Sequence, residues 1–208
     1  MPGRLVSDFP LFPLGLVALP GEVVPLHIFE ERYLVMIGEC LDSGREFGIV
    51  WSAPDAVRPI GCAMEVTRVI ERGEDGRLNI LTEGTRPFRV VEEVHHLPYP
   101  AATVEFLQDS TEEPEEAARS DAHEAYARLV EEATDKVLDD EELDPLTAYD
   151  MAATVDFGLD AKQGLLDLRS ETARLRLVTR LLRAAVKRLD FVERAQVRAR
   201  SNGRVRFG

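Results

Sequence analysis

Short apolar runs separated by prolines characterise the first part of the chain, from Phe9 to Cys40. Proline removes a backbone donor and kinks or breaks a helix, so these runs predict short extended segments rather than one long helix. We expect strands over Leu14–Leu19 and Glu22–Ile28, joined by a turn at Pro20-Gly21. The second run is apolar without strict alternation, which indicates burial on both faces.

The pattern becomes helical after Phe29. Acidic residues in the first turn suit the positive end of the helix dipole, and Ser43-Gly44 is a typical end. The apolar positions that recur at helical spacing are Tyr33, Leu34, Ile37 and Leu41.

A series of short strands follows this helix. Asp75-Gly76 predicts a hairpin, and Gly84-Thr85 predicts a turn. The predicted strands are Phe47–Trp51, Ile60–Glu71, Arg77–Glu83, Phe88–Val94 and Ala101–Gln108. Six or seven short strands around one early helix favour an α+β fold with a closed or partly closed β barrel.

The composition changes at Asp109, where a polar, proline-containing segment begins. Beyond it we expect a helix over about 115–138, a solvated acidic loop over 139–144, and further helices, of which the last begins near Glu171. The chain is therefore divided into a β-barrel subdomain over 1–109, a helical subdomain over 110–196 and a basic disordered tail over 197–208.

Charge is distributed unevenly along the 208 residues, whose formal net charge is −13. Residues 1–110 carry 17 acidic and 9 basic side chains, residues 111–160 carry 17 and 3, and residues 161–208 carry 4 and 13. An acidic protein is repelled by phosphate backbones, which argues against nucleic acid as a partner. No apolar run reaches the length of a membrane span and no signal core follows Arg4, so we expect a cytoplasmic protein without a membrane partner.

Common catalytic and metal-binding motifs are absent from the sequence. None of the three lysines follows a glycine, so there is no phosphate-binding loop ending in Gly-Lys-Ser or Gly-Lys-Thr. Cys40 and Cys62 do not form a C-x-x-C pair, and His95 and His96 are adjacent, so their rings would face opposite sides of a strand. We therefore expect no cofactor, no metal and no catalytic residue.

Five segments together resemble the amino-terminal substrate-recognition domain of the ATP-dependent Lon protease. They are FPL, LPGEVVPLHIFEERY, FGIV, IGCAMEVTRVIE and GRLNILTEGTRPFRVVEE, and the later LDAKQGLLDLRSETARLRLVTRLL resembles the helical half of that domain. The resemblance implies a PUA-like β barrel followed by a helical subdomain, in a stand-alone member without ATPase or protease domains. It also implies a non-enzymatic module that binds unfolded or partly folded polypeptides, as an adaptor in protein quality control that works with a protease or chaperone.

The candidate peptide-binding residues combine exposed charge with aromatic surface. Glu30, Glu31 and Arg32 match in position a charged segment that in Lon is linked to substrate handling, although their order differs and a helix start with dipole-favoured acids is the better explanation. Aromatic side chains could line an apolar groove, but at strand and helix spacing most of them pack inward. The aromatic candidates are Phe29, Tyr33, Trp51 and Phe88, with Phe9 and Phe12.

Two alternatives stay open at this stage. One is a PUA-like, RNA-associated or regulatory protein that acts through its basic tail, and the other is a small hydrolase whose site has no recognisable motif. The sequence leaves the bound polypeptide and the oligomeric state open.

Overall fold

The computed structural model describes residues 5–202, and for Asp190 and residues 192–202 it describes the backbone alone. The strands are β1 (Leu5–Leu14), β2 (Val23–Ile28), β3 (Phe47–Trp51), β4 (Ile60–Arg72), β5 (Leu78–Val94) and β6 (Ala101–Phe106). The helices are α1 (Glu31–Ser43), α2 (Glu116–Thr134), α3 (Asp140–Leu143), α4 (Ala148–Ala153), α5 (Leu159–Asp167) and α6 (Glu171–Asn202). None of these helices is long and apolar enough to cross a membrane.

The chain forms two compact units. The first contains the residues up to Thr111 together with Ala152–Arg169, and the second contains Glu112–Met151 and the residues from Ser170 onward. The helical subdomain predicted over 110–196 thus contains one segment, with α5, that belongs to the first unit. The predicted tail over 197–208 coincides with the end of α6 as far as Asn202, and its remainder lies outside the described residues.

The first unit is built on one mixed sheet. Its strand order is β2-β5-β4-β3-β1-β6, and β5 pairs with β6 as well, so the pairings of five strands return to their starting point. The β1–β3 pair is parallel and the other pairs are antiparallel. The fold is therefore α+β, with a core cluster that contains Phe9, Val50, Ala63, Phe88 and Val104.

The predicted first strand was wrong in its position. β1 ends at Leu14, and Val17, Ala18 and Leu19 are buried without forming a strand. Strand amides point alternately to the two neighbours, and the Leu11 amide donates to Pro100 O beside β6. The nitrogen of Pro10 therefore faces β3, one residue before the β1–β3 pairing begins at Leu11. The nitrogen of Pro13 faces the β6 side of the sheet, past Ala101, where β6 begins. Neither proline removes a ladder hydrogen bond, so both fit inside the strand.

The predicted turn at Gly84-Thr85 was also wrong, because β5 continues through it as one strand of 17 residues. A Cβ atom on Gly84 would overlap the carbonyl oxygen of Leu19. The Gly84 amide donates to Glu22 O at 3.0 Å, and its carbonyl accepts from the Gly21 amide at 2.8 Å. The glycine therefore permits a close backbone approach within a strand.

Two predictions that depend on short-range signals were confirmed. Gly44, with φ of 65°, ends α1, and its amide donates to Cys40 O. Gly76, with φ of 83°, forms the β4–β5 hairpin turn and donates to Gly73 O at 3.0 Å.

In the second unit, α2 and α6 are joined by ion pairs across their facing sides. Arg176 lies 2.6 Å from Glu115, the residue before α2, and Arg183 lies 2.9 Å from Asp121. The acidic segment predicted as a loop contains α3, whose Asp139 and Glu142 form a capping box.

Candidate functional site

One groove of the first unit has a volume of about 550 Å³. Aliphatic and proline side chains form most of its lining: Leu11, Pro13, Val50, Val57, Pro59, Val90, Val94, Leu97, Pro98, Pro100 and Ala101. The polar side chains that line it are Arg32, Arg58, Glu93, His95 and Tyr99. The groove therefore has an apolar lining with a few charged groups, which is the composition of many ligand sites in proteins.

Two proline-containing segments form the walls of this groove, and both are held by backbone hydrogen bonds. The loop before β4 is tied to β5, because the Val90 amide donates to Pro59 O at 2.8 Å. The segment between β5 and β6 is tied to β1, because the Leu11 amide donates to Pro100 O at 2.8 Å. Since proline also restricts φ, these walls are preorganised.

Arg58 lies against the single tryptophan of the chain. Its Cζ is 5.3 Å from the centroid of the Trp51 ring, and its amide donates to Trp51 O at 2.8 Å. The guanidinium also pairs with Asp55 through an Nη2–Oδ1 contact of 3.3 Å. These contacts orient the side chain while 36% of it stays exposed, so the guanidinium is available to a ligand.

Arg32 is the second guanidinium of the groove, at the start of α1. Its Cζ lies 4.6 Å from the centroid of the Tyr33 ring, and its Nη2 lies 2.7 Å from Glu30 Oε2. Half of the Arg32 side chain is exposed. An aromatic ring and one carboxylate thus hold each of the two arginines.

Tyr99 contributes an uncharged phenol to the wall. Burial is the main reason that its pKa is raised to about 12, and the hydrogen bond that its hydroxyl donates to Glu39 Oε2 at 2.5 Å raises it further. At neutral pH the phenol therefore stays protonated and cannot act as a general base. Among the other polar residues of the lining, Glu93 Oε2 lies 3.9 Å from His95 Nε2.

The predicted charged residues lie together at the start of α1, and one of them reaches the groove. Glu30, Glu31 and Arg32 are exposed, and Arg32 lines the groove beside its partner Glu30. Phe29 is 60% exposed and stacks against His27 at a centroid distance of 5.7 Å, apart from the lining residues.

The remaining aromatic candidates are buried. Phe88 has no exposed surface and packs edge-on against Phe9, so it cannot contact a peptide in this conformation. Tyr33 is stacked on Phe12 at 4.1 Å and is 5% exposed. Trp51 is 8% exposed, beneath the guanidinium of Arg58. These rings follow the expectation that most aromatics at strand and helix spacing pack inward.

Sequence reasoning missed most of the groove, including Arg58, Val57, Leu97 and Tyr99. The available signal was the pair of proline-bounded segments, 52–59 and 95–100, which we had treated as connections only. These two segments come together because β1 pairs with β3 in parallel and β5 pairs with β6. Neither pairing leaves a local pattern in the sequence.

The described residues offer little for covalent or metal chemistry. Among them no group of three or more His, Cys, Asp or Glu side chains is placed to hold a metal ion. Both cysteines are buried, and burial raises the pKa of Cys40 to about 11 and that of Cys62 further. A thiol with a raised pKa is a poor nucleophile.

The family model of the ATP-dependent protease La (LON) substrate-binding domain matches residues 8–184 of this chain. Lon protease 2 of Myxococcus xanthus is 28% identical over 191 residues, which cover 83% of this chain and 23% of that protein. The Lon protease of Anaeromyxobacter dehalogenans is 27% identical over 191 residues, covering 83% of this chain and 22% of that protein. The chain thus spans less than a quarter of the length of these relatives.

Solved structures of Lon amino-terminal domains share the fold. A Lon N-terminal domain protein from Xanthomonas campestris superposes with a TM-score of 0.64 and 25% identity, covering 82% of this chain and 95% of that one. The N-terminal domain of the Mycobacterium avium complex Lon protease superposes with a TM-score of 0.62 over 85% of this chain and 98% of that one. At 19% identity the second likeness concerns the fold alone.

Proposed function

The chain belongs to the family of the ATP-dependent protease La (LON) substrate-binding domain, and we propose that it binds unfolded or partly folded polypeptides in the groove lined by Arg32 and Arg58. The observation that carries the proposal is the apolar lining of this groove, bordered by a few charged side chains. Generic apolar contacts of this kind tolerate many sequences, which a receptor for unfolded segments requires.

The size of the groove supports this assignment. A volume of about 550 Å³ is comparable to that of small-molecule sites and accommodates a few side chains of an extended segment. The preorganised walls reduce the entropy lost on binding, because the chain around Pro59 and Pro100 is already ordered.

We propose that the protein binds without catalysing a reaction. The side chains that line the groove in the described part of the chain include no Ser, Thr, Cys or Lys, which leaves Glu93, His95 and the protonated Tyr99 as its potential nucleophiles. As an adaptor in cytoplasmic protein quality control, it would present bound segments to an ATP-dependent protease or a chaperone. This role is suggested by the names of the relatives it matches.

We further propose that the circuit of five strand pairings is the PUA-like barrel of the family. The support is the additional β5–β6 pairing, which removes the edge that an open sheet of these strands would expose. The barrel would hold β1, β3 and β5, which carry the floor of the groove, in one rigid arrangement.

The test is a binding titration with a labelled, permanently unfolded model protein. We expect Val57→Asp to weaken binding about tenfold, because it places a charge on the apolar lining. Val23→Asp is the matched control, since Val23 and Val57 are 55% and 49% exposed, and it should change affinity less than about twofold. Circular dichroism establishes that both variants are folded.

Three results would overturn the proposal. The first is absence of binding by the unaltered protein, and the second is an equal effect of the two valine substitutions. The third is tighter binding of single-stranded RNA than of the unfolded protein, with the steep salt dependence of phosphate contacts.

A further inference from the structure

Two arginines are among the charged groups of the groove. The chain has a formal net charge of −13, and residues 1–110 contain 17 acidic and 9 basic side chains. The groove lining carries two guanidiniums, Arg32 and Arg58, and the carboxylate of Glu93, and each arginine pairs with a carboxylate outside the lining, Glu30 or Asp55. Glu93 in turn lies near the imidazole of His95, at 3.9 Å. A ligand in the groove therefore meets two guanidiniums on an apolar surface.

Both guanidiniums are oriented before a ligand arrives. Arg58 lies over Trp51 and Arg32 lies over Tyr33, with distances of 5.3 Å and 4.6 Å from Cζ to the ring centroids. A guanidinium is a planar fork that matches a carboxylate and loses less hydration than an ammonium when it sits against apolar groups. Contact with a ring restricts the position of each guanidinium, so part of the entropic cost of binding a carboxylate is already met.

The carboxylates that now pair with these arginines can be displaced. Asp55 and Glu30 have side-chain exposures of 67% and 44%, and exposed ion pairs of this kind contribute little to stability. A carboxylate brought by a ligand that also fills the apolar groove would be shielded from water and would interact more strongly.

From these observations we propose that the groove selects extended apolar segments that carry an acidic side chain, with the Asp or Glu carboxylate paired to Arg58 and Arg32. The inference rests on the proposed polypeptide binding and specifies its substrate class. An isolated carboxylate in an apolar segment fits two arginines and an aliphatic floor. A nucleic acid brings a row of phosphates, which the net charge of the whole chain repels.

The experiment compares three short fluorescent peptides that differ only at one central position, which is Glu, Gln or Lys within an otherwise apolar, tryptophan-free sequence. Anisotropy gives the affinities. We expect the Glu peptide to bind about tenfold more tightly than the Gln peptide, and the Lys peptide to bind most weakly. Because Trp51 is the only tryptophan and contacts Arg58, its emission reports whether the Glu peptide acts at this groove.

Substitutions locate the preference. Arg58→Gln and Arg32→Gln should each reduce the ratio of Glu to Gln affinity, and Arg58→Glu should shift the preference towards the Lys peptide. Arg77→Gln is the matched control, because Arg77 is a 59% exposed arginine paired with Asp75 at 3.0 Å outside the groove, and it should leave the ratio unchanged. Thermal melts of the variants exclude unfolding as the cause of a lost preference.

The possible outcomes distinguish this inference from the proposed polypeptide binding on which it rests. If all three peptides bind equally well, the charge preference is refuted while polypeptide binding stands; if none binds and the unfolded model protein does not bind either, the proposed function fails. A Glu preference that survives the Arg32→Gln/Arg58→Gln double variant places the carboxylate elsewhere and overturns the inference. Stronger competition by single-stranded RNA than by the Glu peptide would also overturn the inference. So would a dimer of the protein that Arg58→Glu dissociates, because a second copy of the chain would then occupy the groove.

Discussion

The ammonium group of Lys162 donates a hydrogen bond to the carboxylate of Glu22, joining α5 to the residues that precede β2. The second Glu22 oxygen accepts from the Leu19 amide at 3.0 Å. On the next residue of α5, Gln163 Nε2 donates to Ile60 O at 3.1 Å. These contacts attach a helix from late in the sequence to the sheet of the first unit.

Lys162→Met is expected to lower the free energy of unfolding by about 2–4 kcal/mol. The side chains of Lys162 and Glu22 are only 14% and 16% exposed, so the substitution leaves a carboxylate with little hydration and no cation. Urea unfolding measures the change. Lys136→Met is the matched control, because the Lys136–Glu142 pair is 57% and 42% exposed and should contribute little. Equal effects of the two substitutions would contradict the importance assigned to burial.

Gly84→Ala is expected to destabilise the protein by at least about 2 kcal/mol, because the new methyl group would overlap Leu19 O and crowd Cys62 Sγ, 3.1 Å away. Gly15→Ala is the control, since nothing lies within 4 Å of a Cβ at that position. Thermal unfolding of both variants tests the difference. A Gly84→Ala protein as stable as Gly15→Ala would show that the backbone of Leu19 can move aside.

Tyr99→Phe is expected to cost about 1–2 kcal/mol at neutral pH, because it removes the hydrogen bond to Glu39. The folded protein raises the pKa of Tyr99 from 10.0 to about 12, so this contribution is complete below pH 10 and is lost as pH rises towards 12. The difference in unfolding free energy between the original protein and Tyr99→Phe should therefore shrink over that interval. Denaturant titrations on both sides of pH 10 measure it, and a constant difference would contradict the raised pKa.

In the second unit, Arg174→Met is expected to lower stability by about 2–4 kcal/mol. The Arg174 side chain is 3% exposed, donates to Glu171 Oε2 at 2.8 Å and lies over the Tyr149 ring at 4.4 Å. Its removal leaves Glu171 without a buried cation. Arg176→Met serves for comparison, because its pair with Glu115 is about 60% exposed on both sides and should contribute less than about 1 kcal/mol. Chemical denaturation followed by circular dichroism distinguishes the two, and similar losses would refute the prediction.

Local signals in the sequence were sufficient for several elements. The glycine after Ser43 marked the end of α1, the Asp75-Gly76 pair marked the β4–β5 turn, and the apolar spacing after Glu171 marked α6. Each of these depends on backbone conformations or side-chain periods that a few neighbouring residues determine. The resemblance to the Lon substrate-recognition domain likewise came from short runs of sequence, and the family match bears it out.

Other positions could not be assigned from local pattern. Pro10 and Pro13 lie inside β1 because their nitrogens face places where no partner strand accepts a hydrogen bond. Gly84 lies inside β5 because the chain at Leu19 approaches it, 65 residues earlier in the sequence. Val137, inside the helix predicted over about 115–138, is 72% exposed because α2 ends at Thr134.

The sequence by itself thus determined the family, the α+β class and those helices and turns whose causes lie within a few residues of one another. Only the tertiary structure decided which aromatic rings are buried and how Arg32 and Arg58 come to share one groove. Strand register and close backbone approach are set by partners that lie tens of residues apart in the sequence. These contacts form only in the assembled sheet, so they leave no periodic pattern in the sequence.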